Sequence, residues 1–269
     1  MDRLRRAAFA SMLCLVALAA LNSSAQASER RFTYTYGSSV VHPGSIEFEP
    51  WTTFRAGRED FYNRFDHRFE FELGLTPRLQ TAWYFNFSSI TQDEGDHRVS
   101  EFEWRGISWE WKYKLLDPVA DPVGMGLYLE PGLSTGEAEL ETKFIVDKHV
   151  GRTYGAFNVT LEHEWDYEEQ GETEREMSLQ FNLGLAYFLS PAVSAGIEVR
   201  NHNEFPSGEG LEHSALFAGP VISYAASNWW VTLTLMPQLT PLKKNEAGDA
   251  LLLHEHERFN ARLLFGIDL

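Results

Sequence analysis

Two groups of histidine and acidic residues carry side chains that could do chemistry in this sequence. Glu198, His202 and Glu204 all have even numbers, so an extended strand presents them on one face. A histidine beside carboxylates can transfer protons or bind a divalent metal ion. His254 and His256 form a His-x-His pair, which on a strand can also bind a divalent metal ion.

With nine histidines in the chain, short-range pairs also arise by chance, and we interpret both groups as solvated rim or loop residues. His67 and His163 fall on apolar strand faces, but no serine lies beside them in a recognisable hydrolase motif. The sequence contains no nucleophile elbow and no phosphate-binding loop. We therefore predict no catalytic residues, no metal site and no cofactor. The alternative to this non-catalytic interpretation is an enzyme or a metal-binding protein. It would be a hydrolase or metal-binding β-barrel in which these residues act at the outer rim.

The element that positions these residues is an amphipathic strand, which recurs along the chain. In the segment 62–76, the apolar face carries Phe65, His67, Phe69, Phe71, Leu73 and Leu75, and the polar face carries Arg64, Asp66, Arg68, Glu70 and Glu72. This period of two is typical of a β-strand, and strands of this length can cross a bilayer at a tilt. We predict twelve such strands, at 44–57, 62–76, 78–91, 99–115, 123–134, 137–149, 153–166, 174–189, 192–205, 211–224, 229–240 and 255–269.

The chain ends on such a strand, in which Leu263 and Phe265 alternate with Arg262 and Asp268. In an outer-membrane barrel the last strand closes the cylinder against the first. Short and long connections also alternate, as they do between the two sides of such a barrel. We therefore predict an all-β fold, a transmembrane antiparallel up-and-down β-barrel of about twelve strands. The alternative is a secreted soluble β-sandwich or lipocalin-like barrel, in which the apolar faces point inward.

The first 27 residues have the features of a cleaved signal peptide. A basic start with Arg3 and Arg5 precedes the apolar run 7–21, and Ala25-Gln-Ala27 offers a cleavage site. Cys14, the only cysteine, lies in that run, so the mature chain can form no disulfide. We predict residues 28–43 as an N-terminal periplasmic segment and residues 44–269 as the barrel, in the outer membrane of a Gram-negative cell.

The charge of the chain limits its partners. It has 39 acidic and 23 basic residues, which argues against binding to nucleic acid. If the apolar faces meet lipid, the charged faces line the lumen, and the candidate lining residues are Arg64, Arg68, Glu70, Glu72, Glu110, Lys112, Glu139, Glu141, Lys143, Glu162, Glu164, Glu198, Arg200, His202 and Glu204.

An acidic lumen of this kind predicts a channel or transporter for small solutes that attracts cations. The same charges could instead form ion pairs that fill a structural, plugged barrel. The expected partners are outer-membrane lipid and lipopolysaccharide, the barrel assembly machinery and small solutes.

Three stretches carry a resemblance to a known group: the predicted hairpin 137–165, the opening Gly44-Ser-Ile-Glu-Phe-Glu49, and Phe188-Leu-Ser-Pro-Ala-Val-Ser-Ala-Gly-Ile-Glu-Val199. They resemble proteobacterial outer-membrane transporters of the MetA-pathway-of-phenol-degradation type. The resemblance implies a barrel and the passage of small hydrophobic solutes, and it carries no binding residues. Leu269 departs from the terminal aromatic residue that is typical of such barrels.

The strand pattern predicts the behaviour of the refolded chain 28–269 in detergent. A closed barrel resists unfolding by detergent at room temperature, so unheated protein should migrate differently from boiled protein on a denaturing gel. Circular dichroism should show a strand-rich spectrum. A monodisperse protein that stays soluble without detergent would contradict the lipid-facing assignment and favour the soluble sandwich.

Overall fold

The computed structural model describes residues 29–95, 97–167, 173–208, 210–244 and 248–269. The predicted signal peptide, residues 1–27, lies outside these ranges. The strands are β1 (Ile46–Ala56), β2 (Tyr62–Thr76), β3 (Leu79–Glu94), β4 (His97–Leu116), β5 (Gly124–Ser134), β6 (Glu137–Val150), β7 (Thr153–Tyr167), β8 (Thr173–Phe188), β9 (Val193–Pro206), β10 (His213–Ala225), β11 (Trp229–Lys243) and β12 (Phe259–Asp268). None of the described residues forms a helix that could span a membrane.

Each strand pairs with its sequence neighbours, and the last strand pairs with the first. The ladder between β1 and β12 is antiparallel and runs from the Glu47–Asp268 pair to the Ala56–Phe259 pair. The sheet is therefore a closed barrel of twelve strands. Closure pairs the backbone groups that an open sheet edge would leave free, and the predicted all-β up-and-down barrel is confirmed.

The apolar faces of the strands point outward and the polar faces point inward. Phe65 and Trp83 are each 42% exposed on the outer surface, whereas Glu49 and Glu70 on the inner wall are each 1% exposed. This is the reverse of a soluble sandwich or lipocalin-like barrel, whose apolar residues fill the interior. The arrangement is that of a barrel whose outer surface faces lipid.

Several predicted strand boundaries were wrong by two to four residues. β3 continues past residue 91 to Glu94 and β4 begins at His97 rather than at residue 99, with Gly95 at a φ of 60° after the end of β3. The last strand begins at Phe259 rather than at residue 255. The connection before it folds back into the mouth of the barrel, where the Leu252 N–H donates to Gln238 Oε1 at 2.6 Å.

The N-terminal segment that we predicted as periplasmic lies inside the barrel instead. Residues 30–41, which we call the plug, occupy the bore, and within it Phe32 and Thr33 are at most 1% exposed. The inner wall supplies the acceptors that its buried backbone N–H groups need, so an irregular segment can be buried there. Sequence periodicity gives no sign of this, because the plug contains no strand.

The wall has a recess that receives the plug. A Cβ added at Gly184 on β8 would lie 2.7 Å from the ring of Phe32, which stacks on Tyr154 with centroids 5.5 Å apart. Carbon atoms do not approach so closely, so glycine at this position allows the contact between plug and wall.

We predict that Gly184→Ala displaces Phe32 and destabilises the folded protein by about 1–3 kcal/mol, the usual cost of overpacking. The measurement is the urea midpoint of unfolding, followed by gel mobility of the refolded protein. Gly155→Ala on neighbouring β7 is the matched control, because its added Cβ would meet Leu185 at 3.8 Å, an ordinary contact. Equal midpoints for the two variants would contradict the role of Gly184.

Candidate functional site

Glu198 on β9 is the main anchor of the plug. Its carboxylate accepts hydrogen bonds from three successive backbone N–H groups, those of Thr33 at 3.0 Å, Tyr34 at 2.9 Å and Thr35 at 2.9 Å. Hydrogen bonds to an ionised acceptor are about twice as strong as neutral ones. One fully buried carboxylate therefore fixes residues 33–35 of the plug.

Side chains on β7 and β6 bind the following residues of the plug. Asn158 on β7 both accepts from the Tyr36 N–H at 2.6 Å and donates to the Tyr36 carbonyl at 2.9 Å. Asp147 on β6 accepts from the N–H and the hydroxyl of Ser38, at 3.1 and 2.6 Å.

The far end of the plug is held on the opposite wall. Gln80 on β3 accepts from the Val41 N–H at 2.9 Å. In the closed barrel β3 and β9 are six strands apart in either direction, so they face each other across the bore. The plug therefore crosses the full width of the lumen from Glu198 to Gln80.

A layer of arginines and aromatic rings lies at the level of the plug, centred on the buried side chain of Trp51. Three guanidinium groups lie over its ring, at 5.7, 4.9 and 4.7 Å from the centroid, and they belong to Arg30, Arg68 and Arg262. Arg262 also lies 4.0 Å from the ring of Tyr34 in the plug. Desolvated cation–π contacts contribute about 2 kcal/mol each, so this Trp51 layer ties the plug to the wall.

Five acidic side chains are buried together on the inner side of the Trp51 layer, and they are Glu47, Glu49, Glu70, Glu72 and Glu110. The plug contributes a counter-charge, because Arg30 lies 3.8 Å from Glu49. Gln80 donates to Glu72 at 2.9 Å and to Glu110 at 3.0 Å. The plug therefore balances part of the negative charge that is buried here.

On the other side of the Trp51 layer lies a cavity of about 500 Å³, which we call the outer cavity. One wall, formed by β12, β1 and β2, carries Arg55, Arg64, Arg68 and Arg262. The facing wall, formed by β6, β7 and β8, carries Glu139, Glu141, Glu162, Glu164 and Glu176. The two walls lie about half a turn apart around the barrel, so charges of opposite sign face each other across the cavity.

The structure places the predicted lining residues in three environments. Those that line the outer cavity are Arg64, Arg68, Glu139, Glu141, Lys143, Glu162, Glu164, Arg200, His202 and Glu204. Glu72 and Lys112 line a smaller cavity of about 350 Å³ on the inner side. Glu70, Glu110 and Glu198 are buried in hydrogen bonds rather than exposed to a cavity.

Sequence reasoning missed the plug and the inward-facing aromatic residues. Tyr34 and Tyr36 belong to the stretch Thr33-Tyr-Thr-Tyr36, which precedes the first predicted strand. Trp51 stands on the same strand face as Glu49 and Arg55, and Tyr84 stands between uncharged residues on the inward face of its strand. Aromatic residues on an otherwise polar face are the signal that could have indicated a filled bore.

The structure brings together a different set of histidines and acids from the two groups that the sequence analysis described. Glu198 is taken by the plug, and His254 pairs with Glu59 at the surface. His202 and Glu204 are joined instead by His213 and by His256. The register of β9 and β10 sets Glu204 opposite His213, and this pairing could be read only once the hairpin was known.

The imidazole of His256 lies on the loop between β11 and β12 and is largely enclosed. Burial, together with the neighbouring rings of His202 and His213, lowers the pKa of His256 to about 2. The ring is therefore neutral at pH 7, and one of its nitrogens carries a free lone pair. Arg200 lies beside the same group, with Nη2 at 3.0 Å from His202 Nδ1.

Fold and lumen together define the class, a twelve-strand barrel of the outer-membrane type whose bore is occupied by its own N-terminal segment. The chain belongs to the DUF6662 family, a family of unknown function whose model matches residues 24–269. No curated protein matches its sequence.

Solved structures resemble the chain in fold. The COG4313 outer membrane channel from Pseudomonas putida F1 has a TM-score of 0.61 at 11% identity, over 88% of this chain and 100% of that one. The translocator domain of the autotransporter NalP from Neisseria meningitidis has a TM-score of 0.55 at 11% identity, over 98% and 97%. The NanC porin has a TM-score of 0.50 at 9% identity, over 82% and 100%. The outer-membrane barrel that the sequence resemblance implied is thus confirmed as a fold.

We predict that Glu198→Gln loosens the plug. One carboxylate oxygen becomes an NH2 group that faces the backbone N–H donors, which should cost on the order of 1–3 kcal/mol. Thr35→Cys provides the reporter, because Thr35 is 2% exposed and the chain 28–269 has no other cysteine. Maleimide labelling of this cysteine should accelerate by about fivefold to 150-fold, since 1.4 kcal/mol corresponds to a factor of ten.

The matched control for this experiment is Glu101→Gln, an exposed glutamate on β4. It removes the same charge without touching the plug, so labelling should stay slow. The same labelling rate in both variants would show that Glu198 does not hold the plug in place.

Proposed function

We propose that this protein is an outer-membrane channel for small solutes, held closed by its plug. The observation that carries this proposal is that the plug crosses the bore without joining the sheet. Residues 30–41 form no strand, and wall side chains such as Glu198, Asn158 and Asp147 hold them. The plug can therefore leave the bore while the ladder of twelve strands stays intact. The fold likeness to an outer membrane channel and to a porin supports the channel class.

The charges that remain unpaired in the outer cavity indicate the solute. Asp66 pairs with Arg55 at 2.7 Å and also with Arg64. Among the described residues, by contrast, no ion pair joins the acids of the outer cavity at Glu139, Glu162 and Glu164 to a lysine or arginine, and none joins Arg200 or Arg262 to an acid. Arg200 and Arg262 donate only to neutral groups, such as Gln180 and Thr53. No ion pair within the described residues neutralises these five side chains, so we expect their charges to act on a solute.

We expect the channel to take small polar solutes with an ammonium group, zwitterions included. The ammonium group would face the three free glutamates, and a carboxylate would face Arg262 on the opposite wall. Such opposed charges orient a bipolar molecule in a confined site. The lining is polar, so we favour these solutes over the hydrophobic ones that the sequence resemblance implies.

The proposed location is the outer membrane, reached after cleavage of the signal peptide. Exposed side chains such as Phe65, Trp83 and Leu183 form an apolar outer surface that suits lipid. Lipopolysaccharide would then be the neighbour of the outer rim, and the barrel assembly machinery would insert the chain.

We predict that the refolded chain 28–269 conducts little in a planar bilayer and that the chain 42–269, which lacks the plug, opens stably. Removal of Arg30 also takes away one counter-charge of the inner acids, so the open pore should prefer cations. That preference should weaken as salt rises, because the Debye length is about 10 Å at 0.1 M. Single-channel current and the reversal potential in a KCl gradient are the measurements.

The shortened chain must keep its heat-dependent gel mobility, which shows that its barrel is folded. Replacing Glu139, Glu162 and Glu164 with Gln in that background should reduce the cation preference. A folded shortened chain that passes no current would mean that the protein is a structural barrel. Anion preference would mean that the acids are paired scaffolding.

A further inference from the structure

The mouth of the outer cavity brings together three imidazoles and one carboxylate. His202 and Glu204 stand near the outer end of β9, His213 is the first residue of β10, and His256 lies on the loop before β12. One possible ligand atom from each of the four lies within 4.8 Å of the others. The four residues come from three separate parts of the chain, so the tertiary structure alone assembles them.

The packing of these rings leaves polar atoms without partners. The His256 ring centroid lies 4.7 Å from that of His213 and 5.0 Å from that of His202, and both contacts are close to edge-on. His256 Nε2 is buried and has no hydrogen-bond partner among the described residues. Buried polar atoms in native proteins are normally satisfied by a protein group, a water or an ion.

We propose that His202, Glu204, His213 and His256 form a binding site for one divalent transition-metal ion of the zinc class. Imidazole nitrogens with one carboxylate oxygen are a donor set that suits Zn²⁺ and its neighbours, whereas Ca²⁺ and Mg²⁺ favour oxygen donors. Ligand atoms around a tetrahedral zinc ion lie roughly 3.4 Å apart, as follows from bond lengths of about 2.0–2.1 Å. The four groups lie within 4.8 Å of one another, so a bound ion would require side-chain rotations that shorten these distances.

A metal ion can bind His202 only if Arg200 gives up its hydrogen bond to that ring. Its Nη2 lies 3.0 Å from His202 Nδ1, so that ring nitrogen now accepts a hydrogen bond. Coordination through Nε2 requires a proton on Nδ1, and Arg200 must then move away. Its Nε already donates to Gln180 at 2.9 Å, which offers an alternative anchor. The metal ion and Arg200 therefore compete for the His202 ring. Their positive charges also repel each other.

A bound ion would join the loop that carries His256 to the barrel wall. His202, Glu204 and His256 all line the outer cavity, so the ion would lie at its mouth. This inference does not depend on the proposed channel, because it concerns ion binding and not conduction.

The test is a titration of metal-free, untagged, refolded protein 28–269 with Co²⁺, which reports its coordination by visible absorption. We expect saturation at one ion per chain with the intense absorption of four-coordinate Co²⁺, and loss of that absorption when Zn²⁺ is added. His256→Ala and His213→Ala should each weaken binding by at least about tenfold, since even outer-shell changes cost that much. His213→Gln serves as the second variant if His213→Ala does not fold.

The matched control is His254→Ala, on the same loop as His256 but with a side chain 64% exposed and paired with Glu59. It should leave the affinity unchanged, and Arg200→Gln should tighten binding because it removes the competing charge. The proposal is overturned by an absence of saturable binding. It is equally overturned if binding survives unchanged in the folded His256 and His213 variants, or if it disappears in His254→Ala.

Discussion

Closure of the sheet between β1 and β12 is the constraint on which the rest of the structure depends. Once the first and last strands are paired, the backbone groups of the strands find partners within the sheet, and side chains can point only outward or inward. Large apolar residues such as Phe65 and Trp83 occupy the outside. The polar faces must then share one narrow bore, where water is scarce and each charge needs a partner.

The bore meets that requirement in two ways. Some charges pair between strands of the wall, as Arg55 on β1 does with Asp66 on β2, and Arg68 on β2 with Glu130 on β5. Others are satisfied by the plug, whose backbone N–H groups converge on Glu198. The plug is thus part of the electrostatic balance of the wall, because its removal leaves buried acids without their donors.

The charges of acidic and basic side chains are not fully paired in the outer cavity. We therefore place the function of the protein there. Glutamates on one wall face Arg262 on the other, with no ion pair to either among the described residues, and the histidine cluster stands at the mouth of the cavity. The plug and the Trp51 layer separate this cavity from the inner one, so passage requires movement of the plug. The loop before β12 lies at the opposite end of the outer cavity, where it contributes His256 and where Leu252 donates to Gln238.

The sequence by itself determined the strands, their number and the two faces of the sheet. A period of two is a local property, so residues 62–76 are assigned from their own pattern, and most of the predicted inward charges do line the outer cavity. Only the tertiary structure decided the plug and the histidine cluster. Residues 30–41 have no strand period, and their partners stand far away in sequence, as Glu198 does from Thr33. His256 meets His213 only because the loop before β12 folds back toward the start of β10. Such contacts depend on the register of paired strands and on the path of loops, which no local pattern encodes.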